Sequence, residues 1–321
     1  MVFSLLQAME LNAGGVRYPV GGFGTVRDAL ATACARSGVD VRCGARVARV
    51  VADGGVASGV ELDSGESISA DAVVVNADLP EAERTLMARP RDFDAATYST
   101  SVVALHWALA PGSVLAASEL LAHHSLFLGD AATAWGVLDT PSACEAPLPE
   151  GSNFYVHNPA VTDPSCAPEG GAAVTVLVPT PPLPDVGDAA AAAAEWPAQA
   201  RRLVVARLAE ALGVTTATVE DGIVAERTVT PQEWRDALGL RRGSVFGMAG
   251  GLGQLAVFRP GARHPSTRRL YFTGASARPG NGVPLVMIGS KLCAETVARD
   301  VWRVAEQQGE RAGGRLGQQR K

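Results

Sequence analysis

Residues 270–300 read LYFTGASARPGNGVPLVMIGSKLCAETVARD. LYF is a short apolar strand, and small residues end it. Gly274, Gly280 and Gly282 let a backbone come close to a ligand, because they carry no Cβ and accept unusual dihedrals. Pro284 suits the first turn of a helix. The helix that follows is expected to bury Val286, Ile288, Leu292, Cys293 and Val297. Its free N–H groups and the positive end of its dipole favour a negative charge. A phosphate or a reduced flavin ring fits such a loop. A plain strand–loop–helix crossover fits it equally.

Working outward, GGVRYPVGGFG (14–24) reads as strand then loop, and TVRDALATACARS (25–37) as a helix with Val26, Leu30, Ala33 and Cys34 on one face. VRCGARVARVVA, VASGVEL, ESISA and DAVVVNA follow as strands broken by GG and DSG turns. AVVVNA does not alternate, as in a strand covered on both faces. STSVVALHWAL alternates and predicts a half-buried strand, with His106 packed within it. DVGDAAAAAAEW opens an alanine-rich helix to about Leu212, expected on the surface. Thr230-Pro231 with Glu233 marks another helix start, and EQQGERAGGRLGQQRK reads as a frayed tail. GLGQLA (251–256) matches a dinucleotide-binding string, but no strand precedes it and no helix follows. GGFG (21–24) lacks the third glycine of that fingerprint.

Composition narrows the classes. Of 321 residues, 47% are hydrophobic and 19% charged, with net charge −5, which excludes a disordered chain and argues against nucleic-acid binding. The five cysteines form no CxxC pair, which argues against a disulfide framework or zinc site and for a reducing compartment. His123 and His124 would point opposite ways on a strand, so no metal site is expected. No apolar run reaches the ~18–20 residues of a spanning helix. MVFSLLQAMEL has no basic n-region and reads as an amphipathic helix.

GVRYPVGGFGTV, SGVELDSGESISADAVVVNAD and FRPGARHPSTRRLYFTGASARPGNGVPLVMIGSKL together resemble the C-terminal portion of bacterial and fungal-type phytoene desaturases. These are FAD-dependent carotenoid desaturases of the amine-oxidase-like flavoprotein superfamily. LLAHHSLFLG and YVHNPAVTDPSCAPEGG are similar to the same family, and the likeness covers about residues 1–303. It implies a mixed α/β chain: a p-hydroxybenzoate-hydroxylase-like FAD fold with an inserted mixed-sheet substrate domain. The division it suggests is a substrate-domain edge (1–20), FAD-binding parts (21–80 and 263–304), a substrate domain (81–262) and a disordered tail (305–321). It implies dehydrogenation of an apolar polyene in carotenoid biosynthesis, with FAD as hydride acceptor. It also implies docking on a membrane surface, on a cytoplasmic face or in a plastid, without a transmembrane helix.

Carried over residue by residue, Gly274 and Ala275 would approach the FAD pyrophosphate or ribityl region. Gly282, Val283 and Pro284 would lie near the flavin ring, Val47 at the adenine end, and Asn76 and Ala77 close to the cofactor. The family's opening strand–GxGxxG–helix unit has no counterpart in this chain, so the FAD fold is expected to be incomplete and the isolated chain prone to aggregate. No side chain stands out as a general base. A carotenoid isomerase, a ketolase-like oxidase and a truncated paralogue acting as a binding module remain open alternatives.

Overall fold

The computed structural model describes residue 15 and residues 17–129, 147–184, 189–254 and 258–318. Its strands are β1 (Val47–Asp53), β2 (Val56–Leu62), β3 (Ser67–Ser69), β4 (Val73–Val75), β5 (Ser101–Leu109), β6 (His124–Phe127), β7 (Phe154–His157), β8 (Ala172–Thr180), β9 (Ile223–Val229) and β10 (Leu270–Phe272). Its helices are α1 (Phe23–Arg36), α2 (Leu79–Leu86), α3 (Ala189–Leu212), α4 (Thr216–Asp221), α5 (Pro231–Leu238) and α6 (Val283–Gln318). The proposed N-terminal amphipathic helix lies outside the described residues.

Two hydrophobic cores organise these elements. In the first, the Gly54-Gly55 turn joins β1 and β2 as an antiparallel hairpin, and β3 extends it. β4 pairs in parallel with β10, almost two hundred residues later in the chain. Val50, Ala57, Val73, Val75, Leu79, Ala82, Leu270, Phe272 and Ala277 form this core. The buried carboxylate of Glu83 accepts from Arg91 Nε at 2.6 Å and stands 3.3 Å from His264 Nε2, tying α2 to the chain entering β10. Tyr271 Oη donates to Asp300 at 3.0 Å, and Arg263 grips the same carboxylate, which links β10 to α6. Burial and that bond push the Tyr271 hydroxyl up to about 12.

The second core belongs to a five-stranded antiparallel sheet ordered β6-β7-β8-β5-β9. Val103, Leu105, Trp107 and Leu109 of β5 meet Val174, Val176 and Val178 of β8 in it. α3 lies across one face and buries Ala193, Trp196, Ala200, Val204 and Leu208, a three-to-four-residue spacing that makes one continuous stripe. Thr230 caps α5: its hydroxyl accepts from Glu233 N while Glu233 returns a bond to Thr230 N.

Several expectations change. α3 is a core helix rather than a surface one, because its valines and leucines outweigh the neutral alanine run. β5 is buried at nearly every position, and His106 is exposed on the face away from α3, where it bonds Thr175 Oγ1 at 3.0 Å. α2 and Phe93 pack on the first core, so a boundary at residue 81 divides a helix that belongs there. No strand forms over residues 17–22, and α1 begins at Phe23. α6 continues over residues 305–318, where a frayed tail is expected from the sequence. His123 precedes β6, so strand alternation does not govern it, and its ring lies 4.4 Å from that of His124.

Candidate functional site

Because β4 and β10 run in parallel, both leave the sheet at the same end. Asn76-Ala77 follows one strand, and Thr273-Gly274 the other. Thr273 N donates to Val75 O at 3.0 Å, which extends the pairing by one residue. Gly274 has φ +111°, and a Cβ there would stand 3.0 Å from Asn76 Oδ1. The two strand ends therefore touch, and only glycine permits that conformation and spacing. The carboxyl ends of parallel strands are where open α/β sheets bind their ligands.

After Gly274 the chain turns back and enters α6 at Val283, with Val286 N donating to Gly282 O at 2.9 Å. No acidic residue stands in the first turn. The loop rests on the helix it precedes: a Cβ on Gly289 would lie 2.9 Å from both Arg278 O and Pro279 Cδ. Thr273 Oγ1 and Ser290 Oγ, 3.1 Å apart, add a second tie.

Behind the loop sits a buried polar layer. Ser276 Oγ donates to Asp78 Oδ1 at 2.9 Å and accepts from Met248 N at 3.1 Å. Arg241 N donates to Asp78 Oδ2 at 3.1 Å. Burial raises the Asp78 carboxyl above the usual carboxylate range, against the opposing pull of these two bonds. Arg259 is 2% exposed. Its Nη2 donates to Met248 O at 3.1 Å and Ala275 O at 2.5 Å, while its Nε has no partner. Among the described residues no carboxylate pairs with it, and burial lowers its pKa. A buried guanidinium answered only by carbonyls leaves positive charge uncompensated against the loop.

The residues singled out in the sequence separate into two groups. Val47, Asn76 and Ala77 line one cleft of about 550 Å³ between β1, β4 and α2. Gly274 reaches its edge through Asn76, and the Ala275 carbonyl is held by Arg259. Gly282, Val283 and Pro284 do not line that cleft and lie exposed where α6 begins. Cys293 is buried as expected, but Ile288 and Leu292 are about half exposed together with Val283 and Met287. The sequence offers Arg259 and Arg278 as arginines that could face a phosphate, with a solvated surface position favoured for both; burial is what singles out Arg259. These features suit an anionic cofactor: a glycine approach, a helix start without acids and an unanswered cation.

The profile of the flavin containing amine oxidoreductases matches residues 1–297. The chain is 32% identical over 317 residues to a phytoene desaturase of Neurospora crassa, covering 94% of this chain and 51% of that protein. It is 36% identical to a zeta-carotene-forming phytoene desaturase of Myxococcus xanthus, covering 92% of this chain and 54% of that one. An all-trans-zeta-carotene desaturase of the same organism is 35% identical, covering 93% and 55%. The chain thus spans about half the length of the curated relatives it matches. With a family profile across nearly all of its length, this chain belongs to the flavin-containing amine oxidoreductases.

Proposed function

We propose that this chain is the C-terminal portion of an FAD-dependent carotenoid desaturase that dehydrogenates an apolar polyene. The observation that carries this reading is the contact of Gly274 with Asn76 at two parallel strand ends, beside a buried Arg259 with no carboxylate. Relatives named for phytoene and zeta-carotene desaturation support the substrate class.

When bound, FAD supplies the hydride acceptor. The chain's own residues orient and polarise. Gly274 and Ala275 would hold the pyrophosphate or ribityl region, and Asn76, Ala77 and Val47 the adjoining nucleotide side. Gly282, Val283 and Pro284 would face the flavin ring, where the open start of α6 favours negative charge. Arg259 adds a fixed positive charge behind Ala275. A polyene dissolves in lipid, so the reading includes docking on a membrane surface, on a cytoplasmic face or in a plastid. No described helix is long and apolar enough to cross a membrane.

The test is to express the polypeptide that contains residues 1–321 in a phytoene-accumulating bacterium and separate the carotenoids. Coloured products with more conjugated double bonds are expected. Unchanged phytoene, with the protein present and soluble, overturns the proposal, and conversion of only a poly-cis carotene would point to an isomerase. Titration of FAD into Gly274→Val should show weakened flavin binding, by flavin fluorescence, relative to the parent.

A further inference from the structure

The second core carries a histidine cluster that the flavin reading does not use. His124 and His157 face each other across β6 and β7 as a direct cross-strand pair. His123, one residue outside the strand, brings its ring to the same place: its Nε2 lies 3.1 Å from His157 Nε2. One ring nitrogen from each of the three falls within 4.8 Å of the others. For a tetrahedral zinc-type ion with arms of about 2.0–2.1 Å, donor nitrogens stand about 3.3 Å apart, so the His123–His157 spacing is already close to that of a ligand pair.

A ring nitrogen on two of the three is held by an oxygen as well. His123 Nδ1 meets Thr162 Oγ1 at 2.5 Å, and His124 Nδ1 meets Tyr155 Oη at 2.5 Å. Metal-bound imidazoles are typically fixed in this way, with one nitrogen anchored by an oxygen and the other directed at the ion. The cluster opens into a cleft of about 730 Å³, walled by Tyr18, Phe23 and Leu177. The Tyr18 ring stands edge-on to His123 with centroids 4.7 Å apart. Asp163, the carboxylate lining this cleft, is engaged by Gly21 N and by Ser165. It leaves the fourth position to water or a ligand from the cleft. Three protein nitrogens with one open position is the donor set of an accessible zinc-class site rather than a closed structural one.

We propose that His123, His124 and His157 bind one divalent transition-metal cation of the zinc class, with the fourth coordination position open to this cleft. Binding requires His124 to close its remaining distance, which its exposed position permits. This site is independent of the flavin reading.

The test uses the tag-free chain, stripped with a chelator and titrated with Co²⁺ while its visible absorption is followed, then with Zn²⁺. One equivalent of Co²⁺ with tetrahedral absorption, displaced by Zn²⁺, is expected. His157→Ala should weaken binding by at least about 100-fold and Thr162→Val by about tenfold, since partners of metal-bound histidines commonly contribute 10–100-fold in affinity. Cys43→Ser should bind as the parent does. No binding at micromolar metal, or His157→Ala binding as tightly as the parent, overturns the proposal. If circular dichroism shows His157→Ala unfolded, His124→Gln at the exposed position is read in its place: undiminished binding overturns the site, and weakened binding supports it.

Discussion

The two cores differ in how completely they enclose themselves. The five-stranded sheet has α3 laid along it and buries its large side chains nearly fully, Trp107, Phe154 and Trp196 among them. The first core is smaller, and its parallel sheet has only two strands among the described residues. Parallel strands are ordinarily covered on both faces within larger sheets, yet Val74 is half exposed. Two helices outside the five-stranded sheet's core are also bare on their apolar sides. α1 buries no residue, with Phe23 and Leu30 about half exposed, and α6 shows Val283, Met287, Ile288 and Leu292. One part of the chain satisfies its own hydrophobic surface, while the other presents surface and a strand edge.

The largest expected consequence concerns the solution state. An open apolar edge and bare helix faces drive association. The purified chain should bind a hydrophobic dye and self-associate, and replacing Met287, Ile288 and Leu292 with Ser, Gln and Gln should reduce both. A monomeric parent with a cooperative, high-temperature melt would break the comparison. Stability should follow the same division. Phe154→Ala removes a ring stacked on Phe127 at 4.5 Å and should cost about 3–5 kcal/mol in urea unfolding. Leu292→Ala, on the bare face of α6, should stay within about 0.5 kcal/mol. Equal costs for the two would contradict the difference between the cores.

Gly289 sharpens the comparison where α6 meets the loop that precedes it. In an exposed helix, Gly→Ala stabilises by roughly 0.5–1 kcal/mol. Here the added methyl meets Arg278 O and Pro279 Cδ at 2.9 Å. Gly289→Ala should therefore destabilise, by about 1–3 kcal/mol, as overpacking does. A stabilised variant in thermal melting would show that the loop does not rest on α6.

How much of this the sequence displayed depends on the range of the interaction. LYF, the glycine loop and the start at Pro284 were legible because strand, turn and helix signals are local. The capping box at Thr230 and Glu233 was legible for the same reason. Contact between Asn76 and Gly274 was not derivable from periodicity, since it depends on strands some two hundred positions apart pairing in parallel; only the resemblance placed both at one cofactor. The histidine cluster escaped the alternation rule because β6 begins one residue later than that rule assumed. α3 was misread because an alanine run hides its stripe of Trp196, Val204 and Leu208. Arg259 gave no local signal, as burial of a cation is settled by what folds over it.

The smallest effect tests the polar layer joining the two cores. Asp78 belongs to the chain leaving β4, yet it accepts from Arg241 N and from Ser276. Burial, the dominant cause, raises its carboxyl in the folded protein. The folded state then binds the proton more tightly than the unfolded one. Stability from Asp78 is full below the unfolded pKa of about 3.9 and is lost as pH rises through the higher folded value. Exposed carboxylates paired with arginine, such as Glu233 and Asp236, are lowered and tilt the pH dependence the other way. The informative quantity is therefore the difference between parent and Asp78→Asn, measured by urea unfolding across the acidic range. Asparagine keeps an acceptor for Arg241 N and can turn its amide toward Ser276 Oγ without carrying a charge. The variant should gain relative to the parent as pH rises from the acid side, and the gain should level off once Asp78 is ionised. A difference independent of pH would mean that Asp78 titrates normally and that water reaches the junction between the two cores.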